Sequence, residues 1–118
     1  MNNKRLGTAF EQEVCSIFAQ TGWWVHFIAP DARGAQPFDI IAVKAGCAVA
    51  MDCKTCAADR FTISRLEDNQ IMAFEKWLKC GNEMPFIMVK HDGFIYKIPY
   101  NKLKNQKSVK LGKEFLFK

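Results

Sequence analysis

One hundred and eighteen residues, 49% of them hydrophobic, suffice for one domain with a real core and are too few for two. Seventeen lysines and arginines against twelve acids give a net charge of +5 and a pI near 9.0, a balance that favours a polyanionic partner such as nucleic acid. No apolar run reaches membrane-spanning length, and Met1-Asn2-Asn3-Lys4-Arg5 leads into an amphipathic segment rather than a signal-peptide core. The protein is therefore expected in the cytoplasm, with no membrane partner.

From about Lys4 to Gln20, Leu6, Phe10, Val14, Ile17 and Phe18 recur at helical spacing, and Gly22 ends the pattern. Trp23 to Ile28 is aromatic and β-branched and reads as a strand. Pro30 to Gln36, with Asp31, Arg33 and Gly34, reads as an exposed loop. Two strands follow, Pro37 to Val43 and Ala48 to Lys54, joined by Lys44-Ala45-Gly46-Cys47 and so antiparallel neighbours. Ser64-x-x-Glu67 has the form of a capping box opening a helix through Lys79, with Leu66, Ile71, Phe74, Trp77 and Leu78 apolar and Gly81 closing it. Pro85 to Lys90 and Phe94 to Ile98 are strands about the turn His91-Asp92-Gly93, and Phe115-Leu116-Phe117 adds a short edge strand. Helix, three strands, helix and two strands predict a single α/β sandwich around a mixed central sheet, αβββαββ, over residues 1–118.

Charge inside two of these strands is the most informative feature. Asp52 and Lys54 alternate with Met51 and Cys53, so acid and lysine share one side of their strand. Asp39, at the mouth of the neighbouring strand, is placed to converge on Asp52. Two carboxylates within reach repel unless a cation or a shared proton offsets them, and hard oxygen donors suit Mg²⁺ or Mn²⁺. A lysine beside such a cation positions or deprotonates an attacking water, or stabilises charge building on a phosphate. A polar hairpin face with Asp52 and Lys54 paired in solvent is the plain alternative.

The five cysteines, an odd number, fit free thiols in a reducing compartment. Cys53-x-x-Cys56 has the spacing of half a zinc site or a redox pair. No second pair completes a zinc site, and Cys53 lies within a strand rather than at the strand-to-helix turn that the redox motif uses.

The order of elements and the acids resemble the PD-(D/E)XK nuclease superfamily, with Asp39 matching the first acid, Asp52 the second and Lys54 the lysine. Gly7-x-x-Phe10-Glu11 is similar to the helix that supplies a further acid in many members, which implies a metal-site role for Glu11, with Glu13 the competing candidate. Within the superfamily, Pro37-x-Asp39-Ile40-Ile41-Ala42, Asn69-Gln70, Phe86-Ile87-Met88-Val89 and Gly93-Phe94-Ile95-Tyr96-Lys97-Ile98-Pro99-Tyr100 resemble Holliday junction resolvases of the archaeal and RecU types. Gln70 resembles a glutamine that helps orient the site in those proteins. This chain has Asp52 where resolvases more often have glutamate, Phe38 between Pro37 and Asp39, and a loop before Asp39 that is short beside the stalk of the RecU type.

The resemblance implies a Mg²⁺-dependent (or Mn²⁺-dependent) DNA endonuclease of recombination or repair, leaving 5′-phosphate and 3′-hydroxyl ends. Asp39, Asp52, the backbone carbonyl of Cys53 and Glu11 would hold the metal, and Lys54 would align the water. Lys4, Arg5, Arg33, Lys102 and Lys104 are expected on DNA phosphates, with Gly34 allowing close backbone approach. Paired cuts across a four-way junction imply a two-fold homodimer. A less structure-selective restriction-like or repair nuclease, and a non-catalytic nucleic-acid-binding module, are the alternatives.

Overall fold

A computed structural model describes residues 3–28 and 37–118, with side chains from residue 8 onward in the first helix. The order is α1 (Asn3–Gln20), β1 (Trp24–Phe27), β2 (Ile40–Lys44), β3 (Cys47–Thr55), β4 (Arg60–Thr62), α2 (Asp68–Lys79), β5 (Phe86–His91), β6 (Phe94–Pro99), α3 (Tyr100–Gln106) and β7 (Ser108–Lys110). Five strands form one sheet in the order β1-β2-β3-β5-β6, while β4 and β7 pair separately. Only β3 and β5 run parallel; α2 lies in the chain between them, and the other neighbours are antiparallel. This is a mixed α/β sheet, in agreement with the expected class.

The helices cover opposite faces because the strands alternate. Phe10, Val14 and Phe18 of α1 bury against Ile40, Ala42, Met51, Cys53, Met88 and Ile95. Phe74 of α2, with Ile71, Trp77 and Leu78, packs on Ala50, Ile87, Val89, Tyr96 and Ile98. Central β3 is buried from Val49 to Cys53, as a strand covered on both faces must be. Asp52 follows the parity of Ala50, so its side chain points toward α2.

The β2–β3 hairpin turns on Ala45 and Gly46, with φ of 52° and 79°, the pair of left-handed conformations that a tight two-residue turn requires. Lys44 therefore pairs with Cys47, and the register is fixed to Ile40 opposite Met51. Asp39 immediately precedes this pair, and its N–H donates to Met51 O at 3.0 Å.

Three expectations need correction. The helix at Ser64 starts at Asp68: Ile63–Arg65 is a 3-10 turn, Leu66 is extended, and the capping box joins Glu67 to Gln70. Ser64 Oγ bonds the Thr62 hydroxyl instead, at 2.9 Å. Lys113–Phe115 is a 3-10 turn rather than strand, and Leu116 makes only a single bridge to Tyr96. The lysine-rich C-terminal stretch folds as α3 and β7, which with β4 were not anticipated.

Candidate active site

Asp39 is fixed from three directions. Its N–H donates to Met51 O at 3.0 Å and its carbonyl accepts from Ile28 N–H at 2.8 Å, so the strand ladder holds it just before β2. Its Oδ2 accepts from Cys53 N–H at 2.8 Å, which fixes the carboxylate. Phe38, beside it, is buried with its ring 5.3 Å from Phe74 and 5.5 Å from Trp77. The residue that interrupts the P-D pair thus anchors the acid to α2. An apolar hollow of about 250 Å³ next to Phe38, lined by Ala73, Lys76 and Trp77 among others, holds no acid.

Asp52 is fully buried. Gln70 Nε2 donates to its Oδ1 at 3.0 Å. Its Oδ2 has no hydrogen-bond partner among the described residues, although Lys54 Nζ stands at ion-pair distance, 3.5 Å. Burial, followed by the charge of Asp39, pushes the Asp52 carboxyl well above the usual carboxylate range, and Lys54 pulls against that rise. A buried carboxylate oxygen without a full hydrogen bond is costly, and a proton shared with Asp39, the Lys54 ammonium or a bound cation can offset that cost.

Glu11 of α1 joins the same field. Burial and the charge of Asp39 raise its pKa to about 7, with Lys54 opposing. Glu13 points elsewhere and bonds Lys90 Nζ at 2.6 Å on the surface. Three acids therefore act against one lysine, an excess of negative charge that one divalent cation would offset. Cys15 and Cys53 lie on the α1 side, their thiols pushed up first by burial. The Cys56 thiol donates to Ala58 O at 3.2 Å, so Cys53 and Cys56 do not form a metal half-site.

Among the described residues, no three His, Cys, Asp or Glu side chains converge as a metal cage. A Mg²⁺-like ion does not need one, since it binds through one or two carboxylates and keeps several waters. Asp39 and Asp52, near enough for the charge of one to raise the pKa of the other, are oxygen donors with one atom lacking a hydrogen bond, and they fit such an ion. Gln70, expected from resemblance alone, lies at the site. The expected DNA contacts are less concentrated: Lys102 is 3.7 Å from Glu114 and Lys104 2.8 Å from Glu75. Arg33, Gly34 and the side chains of Lys4 and Arg5 lie outside the described residues. Phe38 was not singled out in sequence as an anchor; an aromatic flanking a strand-mouth acid was its one signal.

A mixed sheet with Asp39 just before β2 and Asp52 and Lys54 on β3 is the fold of a PD-(D/E)XK-type protein. The family model described as archaeal Holliday junction resolvase (Hjc) matches residues 2–114, and the chain belongs to that family. No curated protein matches it. Among solved structures it is similar to Hjc of the archaeal hyperthermophile Archaeoglobus fulgidus, a Holliday junction resolvase. The TM-score is 0.63 and the identity 16%, over 80% of this chain and 73% of that one, a likeness of fold. Members of the family are endonucleases that hydrolyse DNA phosphodiester bonds in recombination and repair, and their activity depends on metal, so this chain is a Holliday junction resolvase nuclease. No helix among the described residues is long and apolar enough to cross a membrane.

Proposed function

We propose that the whole chain is one catalytic domain, with its centre at Asp39, Asp52, Lys54 and Glu11, and that the metal is Mg²⁺ (or Mn²⁺). The observation that carries this reading is the buried, unpartnered Oδ2 of Asp52 facing a second acid. Asp39 and Asp52 would hold the ion with the Cys53 carbonyl, and Glu11 would complete its surroundings. When bound, the ion supplies a Lewis acid that polarises the phosphodiester and eases ionisation of water.

The protein's own groups do the rest. Cys53 N–H and Gln70 Nε2 each hold one carboxylate, so the acids do not reorganise as the substrate arrives. Lys54 Nζ, next to Asp52 and partly exposed, aligns the attacking water and meets the charge that grows on the phosphate. The exposed lysines contribute affinity for the DNA backbone, in a salt-dependent way. Two such centres, related by a two-fold axis in a homodimer, would cut opposite strands of a four-way junction. Five free thiols accord with a cytoplasmic site of action, alongside the DNA.

Cleavage of a synthetic four-way junction, beside linear duplex and single strand, with and without Mg²⁺, tests the reading. Metal-dependent paired nicks in the junction, lost in Asp52→Asn, are expected. Metal-independent cutting, or cutting by the variant at the wild-type rate, would refute it.

A further inference from the structure

Arg65 sits in the 3-10 turn before α2, and neither the acids nor Lys54 uses it. Its Nη2 donates to Thr55 O at 2.7 Å, and its Cζ lies 5.4 Å from the ring centroid of the fully buried Phe61. Thr55 ends β3 and directly follows Lys54. On the other side of Arg65, Leu66 is buried and Glu67 N–H donates to Gln70 Oε1 at 2.9 Å, while Gln70 Nε2 reaches Asp52. An exposed arginine is thus tied by its guanidinium to the strand of Asp52 and Lys54, and by its backbone to the helix start that carries Gln70.

Lys90, Lys102 and Lys104 each have a carboxylate within 4 Å. Arg65 has none among the described residues, and most of its five N–H donors remain available. Packing against Phe61 and the bond to Thr55 reduce the rotamer freedom that a free arginine would lose on binding. A pre-set planar fork beside a phosphodiester-cleaving centre suits two oxygens of one phosphate.

We propose that Arg65 is a positioning residue that grips a backbone phosphate next to the scissile one, holding the cut strand in line with Lys54. This rests on the assignment of Asp39, Asp52 and Lys54 as the centre. A purely structural Arg65, tying the end of β3 to the turn, would affect stability and leave DNA binding untouched.

Binding of a fluorescent four-way junction, measured in EDTA across a NaCl series, separates the two for wild type, Arg65→Gln and Arg65→Lys, each with its thermal midpoint. The expected result for Arg65→Gln is weaker binding and a slope of log K against log [NaCl] shallower by about one. Arg65→Lys should keep the wild-type slope, because it keeps the charge. In Mg²⁺, it should raise KM more than it lowers kcat, because a point charge cannot form the fork. An unchanged slope in Arg65→Gln, with or without a lower midpoint, overturns the proposal. The slope is read without turnover, so failure of the catalytic assignment, seen as activity in Asp52→Asn, shows separately.

Discussion

Gln70 and Asp52 are joined so that the helix start sets the acid. Glu67 N–H is a donor, so it faces the amide oxygen of Gln70 and leaves Nε2 to donate to Asp52 Oδ1 at 3.0 Å. One amide thus caps α2 and holds one oxygen of the buried carboxylate, leaving Oδ2 as the only oxygen of that group without a bond.

Replacing Gln70 with Leu removes both bonds. A second unpaired carboxylate oxygen and the loss of one half of the capping box should lower stability in urea unfolding by about 1–3 kcal/mol. Loss of an orienting partner should lower kcat by about 10–100-fold in addition. If kcat under folded conditions matched the wild type, Gln70 would be a helix cap alone.

Asp52→Asn removes the charge that burial and Asp39 make costly. The metal-free variant should melt no lower than wild type, because an amide fits the same space without a buried charge. It should lose the rise in melting temperature that Mg²⁺ gives the wild type, and it should lose cleavage, while still binding junction DNA through dispersed lysines. A wild-type Mg²⁺ shift in this variant would place the ion elsewhere.

The pH dependence follows from Glu11, whose pKa rises from an ordinary 4.5 to about 7 on folding. The folded protein holds this proton more tightly than the unfolded chain. The resulting stabilisation is complete below about 4.5 and is lost as pH rises through about 7. Asp52, also raised, acts in the same direction. The metal-free melting temperature should therefore fall from pH 5 to pH 8, less steeply in Glu11→Gln, and Mg²⁺ should stabilise more at pH 8 than at pH 5. Identical pH slopes for wild type and Glu11→Gln in EDTA would remove Glu11 from the cluster.

That Asp52 and Lys54 share one side was legible from the strand period of two, whereas the burial that separates them from a solvated hairpin face depends on α2 covering the sheet. The approach of Asp39 followed from the glycine turn, whose register ends at Ile40 opposite Met51 and leaves Asp39 beside β3, its Oδ2 on Cys53 N–H. The start of α2 departs from the expectation because Ser64-x-x-Glu67 and Glu67-x-x-Gln70 overlap as capping signals. Extended Leu66, buried in the core, decides between them through tertiary packing. Helix α3 has only Tyr100 and Leu103 buried, too short a pattern to register as a period. Strand β4 finds its partner far along the chain, where Arg60 pairs with Lys110, and no local signal announces that contact.

Lys54 is the remaining test of mechanism. Its Nζ lies 3.5 Å from Asp52 Oδ2 with the side chain 20% exposed, placed both to steady the acid and to reach substrate. Lys54→Ala removes the cation that pulls the Asp52 pKa down, so Asp52 should hold its proton to higher pH and the pH–rate profile should shift upward. If Lys54 also aligns the water, kcat should fall on the order of 10²-fold or more even on the alkaline plateau, with junction affinity in EDTA little changed. The two effects separate in one titration at saturating Mg²⁺: a shifted profile that regains the wild-type plateau would leave Lys54 as a partner of Asp52 only, whereas a lowered plateau assigns it to the chemical step.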